Sequence, residues 1–144
     1  MPRTRWVPAL AVAAVITTMP AACATVEPTV HEPQPAVTIS DGEDESTPKT
    51  LTLTPDAVRR LELTTVVVDN PTSVPYSAVV YDKTGEPWVY ASPRDRTFIR
   101  VPVTIERVEG ETATLSDGPP AGTRIVTRAV IKLYGAENGV GGGH

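Results

Sequence analysis

Cysteine is nearly missing from this chain: Cys23 is its only one. A single thiol excludes an internal disulfide and any zinc site built from several thiolates. Histidine is almost as scarce, with His31 and the terminal His144. Neither stands near a serine that needs a general base, so Ser77 and Ser116 have no route to nucleophilic chemistry. His31 beside Glu32 has no second histidine at ligand spacing and reads as a solvated linker residue. Positive charge is not in excess either. Lys and Arg number 13 against 17 Asp and Glu, a formal charge of −4, so the composition points away from nucleic acid as a partner. A phosphate loop is also lacking: Asp117-Gly118-Pro119-Pro120-Ala121-Gly122 has no Gly-Lys-Ser/Thr ending and reads as a rigid turn. Glu106, Glu109 and Glu111 fall at a strand end and its turn, where solvated charge is the ordinary state. No nucleophile, base and oxyanion donors can be assembled, and the sequence reads as a non-enzyme without cofactor or metal.

Long apolar runs are limited to one. Arg3 and Arg5 precede an uncharged, mostly apolar stretch over residues 6–16, and small residues then lead to Cys23. Spanning a bilayer takes roughly 20 apolar residues, so residues 1–22 are expected to be an export signal rather than an anchor. The Ala21-Ala22-Cys23 ending is similar to a bacterial lipoprotein signal, with Pro20 where a Leu-like residue is usual. That similarity implies lipidation of Cys23. Ordinary cleavage after Ala24, at Ala22-Cys23-Ala24, is the alternative. Residues 23–49 carry Pro28, Pro33, Pro35 and Pro48 and an acidic knot from Asp41 to Glu45. With few periodic apolar positions they are expected to form a disordered tether.

Residues 50–135 carry the fold. Leu51-Thr52-Leu53 alternates as a short strand, and Thr54-Pro55-Asp56 is a helix start with a capping hydroxyl, a proline at the first position and an acid near the dipole. Residues 64–68 are β-branched and read as a strand. Asp82-Lys83-Thr84-Gly85 reads as a hairpin turn between two strands. The clearest pattern spans residues 97–106, where Ile99, Val101, Val103 and Ile105 share one parity and Arg100, Pro102, Thr104 and Glu106 the other. That alternation predicts an apolar face on a core and a polar face in water. The expected fold is mainly β: a small β-barrel or β-roll-like module of about six to eight short strands with one short helix. Val130 to Tyr134 is left as a last strand or short helix, and residues 136–144 as a flexible glycine-rich tail.

Val74-Pro75-Tyr76-Ser77-Ala78-Val79-Val80-Tyr81, then Gly85, Trp88-Val89-Tyr90 and Phe98-Ile99-Arg100-Val101-Pro102-Val103, resemble the membrane-proximal β domain of periplasmic adaptor subunits. These are the membrane fusion proteins of resistance-nodulation-division efflux pumps. Gly118 to Val126 is similar to a further turn and strand of that family, with Pro119 in place of the usual Leu, and residues 51–66 to the strand-helix-strand that leads into it. The departure is large. Adaptors insert a long helical hairpin and a lipoyl-like domain, whereas this chain passes from Val68 to Val74 in a handful of residues and has no heptad run. The resemblance implies a truncated, adaptor-like envelope lipoprotein on the outer face of the cytoplasmic membrane, docking on an inner-membrane transporter of the resistance-nodulation-division type. Trp88, Tyr90 and Arg100 are the expected partner contacts, since aromatic residues and arginine favour interfaces. Homo-oligomerisation is left open. A ligand- or metal-carrying envelope binding protein, or a structural lipoprotein without an efflux role, is the alternative.

Overall fold

The computed structural model of the chain describes residues 34–41 and 47–139. The expected export signal, Cys23, His31 with Glu32, most of the acidic knot and the last residues of the tail lie outside the described residues. The described chain is mainly β. Its elements in order are β1 (Val37–Ser40), β2 (Thr50–Leu53), α1 (Pro55–Leu61), β3 (Thr64–Val67), β4 (Ser73–Pro75) and β5 (Val79–Tyr81). There follow β6 (Pro87–Arg94), β7 (Thr97–Pro102), β8 (Thr104–Glu109), β9 (Thr112–Asp117), β10 (Arg124–Arg128) and α2 (Val130–Glu137). A seven-stranded sheet runs β1-β2-β7-β6-β10-β3, with β5 beside the first half of β6, and β4-β9-β8 form a three-stranded sheet. The sheets do not close into a barrel. β1 and β3 stay as edges of an open sheet, and strands and helices are both more numerous than the alternation suggested.

Local chemistry explains the ends of α1. The Thr54 hydroxyl accepts from the Ala57 N–H at 3.2 Å, Pro55 opens the helix, and Glu62 closes it in the left-handed region at φ 52°. Glu62 N–H then bonds the Arg59 carbonyl, which satisfies an end group the helix cannot.

Packing follows from a single fact: Val89 and Tyr90 are adjacent on β6 and both 0% exposed. Neighbours on a strand point to opposite faces, so the large sheet is covered on both. On one side Tyr90, Leu51, Leu53, Phe98 and Val126 pack under α1 and α2 through Ala57, Val130 and Leu133. On the other, Val89 and Ile125 meet Val74, Ala113 and Leu115 of the small sheet. The result is three layers: two helices, the large sheet and the small sheet.

The long alternating stretch is where expectation and structure part. It is two strands. Pro102 has no N–H to continue the ladder and closes β7, and β8 begins at Thr104 in the other sheet. Val103 between them is buried, and Val101 and Ile105 pack half-buried against the same sheet-side core, as the apolar parity implied. The other parity is not simply in water. Phe98 is buried beneath the helices and Arg100 is half-buried there, because the helix layer covers the face that alternation assigned to solvent.

Two boundaries need correction. The expected tether of residues 23–49 contains β1, whose Val37 and Ile39 pair with Leu53 and Leu51. Val37-Thr38-Ile39 is β-branched and uncharged, and it adds to the open edge of β2. The expected tail begins too early, since α2 runs through Gly135 and Ala136 to Glu137.

Candidate functional site

Trp88, Tyr90 and Arg100 come together on the helix-side face of the large sheet. β6 and β7 are antiparallel neighbours with Tyr90 directly opposite Arg100 and Trp88 opposite Pro102, so the pleat turns all three to one side. What gathers them is a residue that the sequence left in the tail. Glu137, the last of α2, is 4% exposed. Its Oε2 accepts from the Tyr90 hydroxyl at 2.5 Å, and its Oε1 accepts from Arg100 Nε at 2.8 Å. The Arg100 guanidinium carbon lies 4.6 Å from the centre of the Trp88 ring and 5.7 Å from that of Tyr134. Both are within the roughly 6 Å over which a cation is attracted to a ring face.

Trp88 is held in turn by the β5–β6 hairpin. Its indole N–H donates to Asp82 Oδ2 at 3.1 Å. Asp82 Oδ1 accepts from the Thr84 hydroxyl at 2.6 Å, from Thr84 N–H at 2.8 Å and from Glu86 N–H at 3.0 Å. Gly85 supplies the positive φ, 86°, that the turn needs. A continuous line of contacts therefore runs from the hairpin through Trp88 and Arg100 to the end of α2.

The electrostatics match this geometry. The Thr84 hydroxyl, helped by the Glu86 and Thr84 N–H groups and the Trp88 indole, holds the Asp82 carboxyl down at about 2. Burial, then the hydrogen bond to Glu137, pushes the Tyr90 hydroxyl well above the ordinary tyrosine range. Desolvating an ion pair roughly cancels its attraction, but removing one partner strands the other, at about 3–5 kcal/mol. The Arg100–Glu137 pair thus acts chiefly by fixing where α2 sits. Both Glu137 oxygens are engaged, and the cluster brings no nucleophile.

The three expected contact residues divide. Tyr90 is 0% exposed and fully committed to Glu137, so it is a core residue and not a contact for a partner. Trp88 and Arg100 are half-buried and reach the surface at their margins. Among the described residues, the aromatic side chains most open to solvent are Tyr76 and Tyr81, at 38% and 45%, with hydroxyls 3.5 Å apart beside the same hairpin. The Tyr76 hydroxyl is the main cause of a raised Tyr81 pKa. Glu137 was within reach of sequence reasoning: Val130, Leu133, Tyr134 and Glu137 recur at helical spacing. The glycines around them obscured it.

Among the described residues no three His, Cys, Asp or Glu side chains group as metal ligands, and no helix is long and apolar enough to cross a membrane. Fold and site together define a small open-sheet β domain whose second helix is pinned by the pairing of half-buried Arg100 with buried Glu137. Comparison of the chain with protein-family models, with curated proteins and with solved structures finds no match.

Proposed function

We propose that this chain is a non-catalytic envelope lipoprotein that docks on a membrane transporter, in the manner of an efflux-pump adaptor, through the surface around the β5–β6 hairpin. The observation that carries this reading is the pair Tyr76 and Tyr81, exposed side by side next to a turn that Asp82 holds with several hydrogen bonds. Tyrosine, tryptophan and arginine are enriched among the few residues that carry most of the energy at protein interfaces, and they act best from rigid supports that lose little entropy on binding. Trp88 and Arg100 stand behind the same hairpin. The order of adaptor-like segments from Val74 to Val103 favours a transporter as the partner. β1 starts at Val37, so only residues 24–36 would separate a lipid on Cys23 from the folded body. Fully extended, that is at most about 50 Å, which limits how far the start of β1 could stand from the membrane.

The test is a photo-crosslinking side chain at position 81 in intact cell envelopes. It should give an adduct with an integral membrane transporter, and the same probe at the exposed Glu106 of β8 should not. Equal capture from both positions, or self-adducts alone, would end the docking claim. The mass of the mature protein checks the anchor separately: a soluble form beginning at Thr25 would remove the lipid.

A further inference from the structure

We propose that the cleft between α1 and the tip of the β6–β7 hairpin binds a small carboxylate bearing a short apolar tail. The cleft holds about 120 Å³ and shares no residue with the Arg100–Glu137 site or with the tyrosine pair. Its inner wall is apolar: Val58 of α1, Leu63 just after it, and Phe98 of β7, which is 2% exposed. Its rim is polar, with Thr65 and Ser92 hydroxyls and the guanidinium groups of Arg96 and Arg124.

Both arginines are placed by the backbone. Ile125 pairs with Ala91, so Arg124 stands beside Ser92 and shares the helix-side face with Val126. Arg96 takes a left-handed φ of 57°, and its carbonyl accepts from Leu53 N–H at 2.9 Å, which ties the hairpin tip to β2. The only acid on the lining is Asp95. Its side chain is 91% exposed and meets only Arg96 Nε, at 3.3 Å, a solvated pair of little strength that leaves the terminal nitrogens of Arg96 open. Arg124 takes part in none of the ion pairs among the described residues. Two guanidinium groups against one water-facing carboxylate leave the cleft positive, on a chain whose net charge is −4.

A guanidinium fork matches a carboxylate in a bidentate pair. The apolar wall selects against a bare inorganic anion. Cavities of ~150 Å³ hold a benzene ring, so a tail of about five carbons is the upper limit here.

Titration calorimetry of the full chain with sodium 4-methylpentanoate tests this directly. Saturable binding is expected in the millimolar range. Binding should weaken about tenfold or more for the neutral 4-methylpentanamide, for inorganic phosphate, and for Arg124→Gln with the carboxylate. Arg124 is exposed, so its variant should melt like the parent protein. Absence of saturable heat would overturn the proposal, as would an amide or phosphate that binds as tightly, or indifference to Arg124→Gln. None of these results bears on crosslinking at position 81, so the two readings fail independently.

Discussion

Tyr90 and Glu137 are separated by 47 positions in the chain, yet hydroxyl and carboxylate meet at 2.5 Å where both residues are almost closed to solvent. With Arg100 on the other oxygen, this contact fastens the C-terminal helix to the middle of the large sheet.

Removing the carboxylate should therefore cost far more than a surface change. Glu137→Ala is expected to lower unfolding free energy by about 3 kcal/mol, because it strands Arg100 and the Tyr90 hydroxyl. Glu137→Gln, which can still accept a hydrogen bond, should cost roughly half as much, and Tyr90→Phe about 1 kcal/mol. Urea unfolding measures all three. A loss below about 1 kcal/mol for Glu137→Ala would mean that the pair does not hold the helix.

The hairpin should respond to acid. Asp82 is depressed to about 2 in the folded state, against about 3.9 in an unfolded chain. A lowered folded value means that the stabilisation is complete above the unfolded value and is lost as pH falls through the folded one. The Trp88 indole N–H resonance is thus expected to hold steady down to about pH 3 and to shift with a midpoint near 2. Asp82→Ala should move that resonance at neutral pH. A midpoint near 4 would contradict the hydrogen-bonded turn.

At the alkaline end the sign reverses. Tyr90 is raised, so above about pH 10 the unfolded chain releases a proton that the folded chain keeps. Stability contributed by this group falls as pH rises through that range. A spectrophotometric titration should show one tyrosine that ionises only as the protein unfolds, and Tyr90→Phe should abolish that late step.

Gly118 and Gly122 should fail for different reasons when replaced by alanine. A Cβ on Gly118 would lie 2.6 Å from Cδ1 of Leu115, itself packed in the sheet-side core. Gly118→Ala is expected to destabilise by about 1–3 kcal/mol through overpacking, and Leu115→Val in the same chain should recover part of it. Gly122 has open space but a φ of +88°. Gly122→Ala should lose about 1–2 kcal/mol to backbone strain, with no recovery from Leu115→Val.

Local chemistry was legible where one residue decides one geometry. Thr54-Pro55-Asp56 announces α1, and the Asp82–Gly85 turn announces the β5–β6 hairpin. Face assignment was harder. Alternation equates polar parity with solvent, a rule made for sheets with one wet face, and this sheet is covered on both sides by helices and by a second sheet. Arg100 accordingly reads as exposed but lies against aromatic rings. β1 was hidden by the prolines and acids around it. α2 and Glu137 were hidden by glycines, and nothing local to either strand or helix records that residues 90 and 137 touch. The cleft with Arg96 and Arg124 has the same character, being assembled from α1, β3, β6, β7 and β10 at once.

The chain leaves the large sheet at Pro102 and joins the small one at Thr104, with Val103 buried between the two. A load on β8 therefore has no slack in which to dissipate and passes along covalent backbone into β7. Under a pull along the chain, the two sheets are therefore loaded together through Val103.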